Sequence, residues 1–216
     1  MLFRSLELGE RVQQRDAANA ARHQLLVLQR EQGRQGELEE TVGDAAPSWL
    51  RTVIDFELGR EAEASAGLES LAAADFEDVP PELEWLFIMS LLSEVCALLG
   101  DGRAEKLYGE LAPYAGLAVV SPPEVCLGSV DRQLGALAFA LGRGADAERH
   151  FQQALELNER MGARPWLAHT QEDYGRMLLA RGDEERGQKL LEQALSTYRE
   201  LGMKGALARA TAPVAK

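Results

Sequence analysis

Cysteine is scarce. Only Cys96 and Cys126 occur in 216 residues, and neither stands in a CxxC pair or beside histidine. That spacing excludes a thiolate zinc site and argues against a disulfide scaffold, so a reducing, cytoplasmic setting is expected. Histidine is scarcer still relative to what catalysis needs, with three in all and no HExxH, GxSxG or Cys/His pairing. Nucleophilic catalysis therefore has no candidate. Positive charge is also in deficit, 23 Lys and Arg against 35 Asp and Glu for a net charge of −12. Phosphate backbones are held by clustered Lys and Arg, so direct nucleic-acid binding is not expected. Long apolar runs are missing too. The greasiest stretch, WLFIMSLLSEVCALLG from Trp85 to Gly100, is broken by Ser90, Ser93 and Glu94 and reads as a buried helix rather than a membrane span. The opening MLFRSLELGE lacks the apolar core of a secretion signal.

Alanine and leucine, by contrast, are plentiful, while aromatic residues make up 6%. That balance suits closely packed helices. A repeat becomes visible at the glycines. Gly59, Gly100, Gly142 and Gly182 each follow an apolar or basic helix end and recur about every forty residues, and Gly33 stands in the same kind of setting. Glycine there can adopt the left-handed conformation that stops a helix and turns the chain. After each turn a small residue comes first: Ala64, Ala104, Ala147 and then Gly187. Four residues later stand Leu68, Tyr108, Phe151 and Leu191, and three further on Leu71, Leu111, Ala154 and Ala194. Steps of four and three share one helix face, so this stripe must be buried against a neighbour. FQQALELNERMG (151–162) and LLEQALSTYRELG (190–202) carry it twice almost verbatim.

The helix before each turn recurs as well, and is expected over Ser48–Leu58, Leu83–Leu99, Val125–Leu141 and Pro165–Ala180, with Trp49, Trp85 and Trp166 packing near three of the starts. The expected architecture is all-α: a right-handed α-solenoid of stacked antiparallel helix pairs forming one domain over 1–216. Its repeats fall near 46–80, 81–122, 123–163 and 164–204, preceded by an irregular one at 10–45 and followed by a tail at 205–216. The interval from Gly33 to Gly59 is much shorter than the others, which predicts a stunted helix over about Gly36–Val42. Leu2–Glu10 resembles half a pair, and Leu207–Ala212 starts a helix that Pro213 stops, so two uncapped ends are expected, open to a partner or a second copy.

Leu134-Gly135, Ala147, Phe151 and Ala154 stand in the order of the tetratricopeptide pattern, and Tyr174-Gly175, Gly187, Leu191 and Ala194 repeat it with departures at the first Ala and the Phe. YGELAPYAGLAVV (108–120), CLGSVDRQLG (126–135), the run 147–183 and LLEQALSTYRELGM (190–203) resemble the C-terminal helical repeats of bacterial multidomain signal-transduction ATPases. These are the LuxR-type and MalT-like transcription regulators and their class III adenylate cyclase-linked relatives; REQGR (30–34) and LAAADFEDVP (71–80) fit the same region. The resemblance implies a scaffold that senses ligands or partners for ATPase, cyclase or DNA-binding domains of a longer regulator. Those activities have no machinery here. The nearest phosphate-loop string, Gly182 to Lys189, has Gln188 where glycine should precede lysine, and two carboxylates inside.

His169 and Glu172 share one helix face with Arg176 a turn later, but a metal would need further ligands, so no metal or cofactor is expected. By the tetratricopeptide analogy these residues face the concave groove. Equivalent positions in preceding pairs are Arg132 and, further back, Phe87 and Glu94. The expected site is thus Phe87, Glu94, Arg132, His169, Glu172 and Arg176, with arginine forks, opposing carboxylates and an apolar anchor. Two readings follow: a non-catalytic scaffold holding a protein or peptide segment, or a small-molecule effector sensor with polar groups converging in an enclosed pocket. An enzyme would require a buried ionisable centre that no motif marks.

Overall fold

The small-and-large stripe decides the architecture, because no single helix pair can cover it. The computed structural model describes residues 15–42, 46–80, 84–121 and 125–211. Among them are eleven α-helices and one two-stranded hairpin. Four antiparallel pairs form the body: α3 (Ser48–Glu57) with α4 (Glu61–Ala73), α5 (Trp85–Leu99) with α6 (Ala104–Leu111), α7 (Val130–Ala140) with α8 (Gly144–Arg160), and α9 (Arg164–Ala180) with α10 (Glu184–Leu201). The turn within each pair is made by Gly59, Gly100, Gly142 or Gly182, with φ between 62° and 85°. Most of the stripe is inside as expected, with Ala64, Leu68, Leu71, Ala104, Leu111, Ala147, Phe151, Ala154, Gly187 and Ala194 buried. Tyr108 and Leu191 are only half-buried, and in α6 it is Leu107 that is sealed. In the last pair a Cβ on Gly187 would lie 2.9 Å from the Gly175 carbonyl oxygen, so the alanine of the other copies has no room there. The apolar core is correspondingly segmented. One cluster runs from Leu26 and Leu38, ahead of the pairs, through α3 to α7; a second joins Ala138, Phe151 and Tyr174, and a third joins Ala168, Ala194, Tyr198 and Ala206.

One helix is shorter than its sequence suggests. Val125–Ser129 was expected to open the helix ending at Leu141; it is instead strand β2, paired antiparallel with β1 (Ala118–Ser121) through Val120 opposite Cys126 and Ser121 opposite Val125. Two local forces decide this. Val119 and Leu127 are buried apolar residues of the two strands. Ser129, extended at φ −77° and ψ 137°, caps α7 by accepting from the Asp131 amide at 3.2 Å. The hairpin is then pinned by Asn158 of α8, whose Oδ1 accepts from the Ser129 amide at 3.0 Å.

Three helices stand outside the pairs: α1 (Arg15–Gln32), the short α2 (Leu38–Val42) in place of the stunted helix, and α11 (Lys204–Thr211). α1 lies across the face made by the first helices of the pairs, touching α3, α5 and α9 through its side chains. Its end meets α11 backbone to backbone. A Cβ on Gly205 would lie 2.0 Å from the Arg30 carbonyl oxygen and 2.9 Å from the Gly33 nitrogen. The expected open C-terminal edge is therefore covered from within the chain, and α11 begins at Lys204, earlier than its sequence start suggested. The expected half-pair at 2–10 lies outside the described residues.

Because the clash at Gly205 is with main chain, a side chain cannot move aside. Gly205→Ala is expected to cost about 1–3 kcal/mol, as overpacked cores do. The urea midpoint should fall, and hydrogen exchange should speed up in both α1 and α11.

Candidate binding groove

The face under α1 carries a continuous chain of ion pairs and hydrogen bonds. Arg30 of α1 donates through Nε to Glu57 at 2.6 Å and through Nη2 to Glu94 at 3.0 Å. Glu94 also meets Arg132 Nη1 at 3.5 Å, and Arg132 Nε donates to Asp173 at 2.7 Å. A second branch starts at Glu31, which lies 3.0 Å from His169 Nε2. His169 Nδ1 is 3.0 Å from the Tyr198 hydroxyl, which donates to Glu172 at 2.8 Å. Glu172 in turn accepts from Arg176 Nε at 3.0 Å, and Arg176 Nη2 reaches the Ala210 carbonyl at 3.2 Å. Arg209 of α11 stands 3.8 Å from Glu57 and closes the circuit. Seven helices are tied together by charge.

Burial and pairing pull these groups in opposite directions. Desolvation alone would raise the Glu94 carboxyl, but Arg30 and Arg132 outweigh it and hold it well below the usual carboxylate range. Glu31 behaves alike: against burial, His169 and then Arg30 bring it down to about 2. At Asp173 burial wins over Arg132 and the carboxyl is pushed up, with the nearby Glu172 and Glu94 adding to the rise. On the other side of α1, His23 has only Glu84, its Oε1 3.8 Å from Nδ1 and partly exposed to solvent, and burial prevails. Its ring sits 4.9 Å from Phe87 and 5.9 Å from Trp49, centroid to centroid. Burial, with help from the Arg22 charge, lowers it from 6.5 to about 4.

Beyond the end of α1 the face is open. A cavity of about 430 Å³ lies between the later turns of α5 and α9 and runs along the length of α7. Glu94, Arg132, Asp173 and Arg176 supply its polar lining, while Ala97, Leu98, Ala136 and Phe139 supply apolar walls. Leu98 and Phe139 are 59% and 38% exposed, so the mouth carries two large uncovered apolar side chains.

Sequence reasoning placed Glu94, Arg132, His169, Glu172 and Arg176 on one face, and the structure joins all five in the one circuit. It does not leave them equally available. His169 is covered by Glu31 and Tyr198, and Arg132 is saturated by two carboxylates; only Arg176, with its side chain 36% exposed, is half open. Phe87 was expected as an exposed anchor. It is fully buried because the chain's own His23 packs on it. The residues that do offer apolar surface, Leu98 and Phe139, were not singled out; each lies four or more residues further along its helix, where the groove is not filled. His150 is buried between Asp131, 2.7 Å from Nδ1, and the Tyr108 hydroxyl, 3.0 Å from Nε2. His23 has a hydroxyl neighbour that its sequence context did not show, Ser121 Oγ at 3.2 Å, but both groups are sealed in the core and no substrate can reach them.

Against known proteins, the tetratricopeptide repeat family model matches residues 127–200, from β2 through α10 and less than half of the chain. This part is a tetratricopeptide-like region, of a kind that generally mediates protein–protein interaction. No curated protein matches the chain. Among the described residues no helix is long and apolar enough to cross a membrane, and no group of His, Cys, Asp and Glu could hold a metal.

Two outcomes follow from the electrostatics. Since His23 is held neutral below its free value, its contribution is complete above pH 6.5 and is lost as pH falls toward 4, worth up to about 3 kcal/mol from the size of the shift. Urea midpoints at pH 7 and 4.5 should diverge in the wild type, and the gap should shrink in His23→Gln. Separately, Arg132→Ala leaves the buried Asp173 without its cation and Glu94 with Arg30 alone, and should lower unfolding free energy by about 3–5 kcal/mol.

Proposed function

We propose that the chain is a non-catalytic scaffold that holds a segment of a protein partner in the open half of its groove. One observation carries this reading: Leu98 and Phe139 stand uncovered at the mouth of a cavity whose floor is charged. Exposed apolar anchors over oriented charges are what a peptide-binding surface needs, the first for affinity and the second for orientation. α1 already occupies the other half, so the partner's footprint is confined to the later turns of α5 and α9 and the face of α7 between them. The sequence resemblance to multidomain signalling ATPases supports a partner within such a regulatory assembly, in a cytoplasmic setting, and the functional role is then restraint or recruitment rather than chemistry.

The same cavity supports a second reading, as an effector site. Its volume of about 430 Å³ falls in the range of small-ligand pockets, roughly 300–1,000 Å³, and the half-open Arg176 lines it, although Glu172 does not and the mouth is open rather than enclosed.

Selection from a random peptide library against the full chain tests the first reading. Enriched peptides should protect 94–100, 132–140 and 173–176 from hydrogen exchange and lose at least tenfold in affinity with Phe139→Asp or Leu98→Asp, both surface changes. Peptides that bind elsewhere, or that ignore both substitutions, would exclude this groove.

A further inference from the structure

The hydrogen-bonding capacity left over in the cavity is sided. Arg132 commits Nε to Asp173 Oδ2 and Nη1 to Glu94, and with its side chain 7% exposed it offers little to the cavity. Asp173 Oδ1 receives no hydrogen bond from any described residue, and its side chain is 22% exposed. Gln133 also lines the cavity, and its buried amide oxygen has no donor among the described residues. These are spare acceptors. Arg176 uses Nε on Glu172 and Nη2 on the Ala210 and Arg209 carbonyls, which leaves Nη1 with no partner among the described residues. That is a spare donor. Asp173 and Arg176 stand three apart on α9, where side chains are neighbours on one face. Opposite them rise the apolar walls of Leu98, Ala136 and Phe139.

A ligand matching this lining needs a cationic donor and an anionic acceptor close together, and an apolar body to one side. We propose that the cavity binds a free apolar α-amino acid, its ammonium on Asp173 Oδ1 beside the Gln133 oxygen and its carboxylate on Arg176, with the side chain against Leu98 and Phe139. The proposal rests on the effector reading of the cavity. It also explains an imbalance. Burial pushes the Asp173 carboxyl up because Arg132 alone does not satisfy it, and an ammonium would supply the missing charge. An apolar acid would answer Arg176 but leave Asp173 Oδ1 without a donor, and an apolar amine would leave Arg176 unanswered.

Isothermal titration of the full chain with four probes decides the matter: L-phenylalanine, phenethylamine, hydrocinnamate and benzyl alcohol. L-Phenylalanine should bind at least tenfold more tightly than any of the other three. Arg176→Gln should remove most of that advantage while leaving phenethylamine affinity unchanged; Asp173→Asn should weaken both amines, and thermal melting identifies any loss of fold. Ala136→Leu, which fills the cavity, should abolish binding. If hydrocinnamate or benzyl alcohol binds as well as L-phenylalanine and is blocked by Ala136→Leu, the amino-acid assignment is overturned while the effector cavity stands. If none of the probes binds, both fall. An Arg176→Gln protein that keeps the full preference for L-phenylalanine would likewise overturn the assignment.

Discussion

Glu94 sits where the rest of the molecule converges. It is a carboxylate with a side chain 14% exposed, gripped by Arg30 from one helix and Arg132 from another. Taking such a group out of water costs several kcal/mol, and pairing it returns that only when the geometry is good on every side. The structure meets this condition by bringing partners from far along the sequence. Arg30 arrives on α1, Arg132 on α7, and Arg132 itself needs Asp173 of α9. Each charge therefore dictates where the next helix must lie. Apolar stripes stack the pairs, but they could slide by a turn; the ion pairs fix α1 to one place on that face.

This division of labour governs what could be read from the sequence. The packing stripe recurs in the letters, since Ala147, Phe151 and Ala154 must meet the same kind of neighbour as Ala64, Leu68 and Leu71. So the paired helices were legible, and so was the shared face of Glu94, Arg132 and His169, because stacked copies place equivalent positions side by side. The hairpin was not. Val125–Ser129 lies inside an apparently helical repeat, and the preference of Ser129 for capping depends on Asn158, twenty-nine positions away. The seat of α1 was equally hidden. Its contacts with His169 span 138 positions, and no periodic pattern encodes a helix that belongs to no pair. That single omission is why Phe87 reads as an anchor in the sequence and as core in the fold.

The filled half and the open half of the groove differ in chemistry. Under α1 the lining is buried throughout, aromatic where Trp49 and Phe87 meet its His23 and charged where Glu57, Glu94 and His169 meet its Arg30 and Glu31. Past its end the lining turns to small alanines with two large apolar residues at the rim, over charges already committed to one another. A binding surface of this kind has its polarity arranged before any ligand arrives, so little reorganisation is needed on association. The tetratricopeptide-like portion, 127–200, supplies only part of it; the remainder comes from α5, which the family pattern does not cover.

The backbone contact between Gly33 and Gly205 changes the kind of object this stack is. Repeat arrays joined only through nearest neighbours behave like one-dimensional chains, in which the outermost units fray first and unfolding travels inward. Here the first and last helices of the described fold touch, so neither is an outermost unit. Loosening α11 uncovers α1, and loosening α1 strands Glu57, Glu94 and His169 along the whole inner face. The line has been bent into a loop, and a loop has no end from which to unravel.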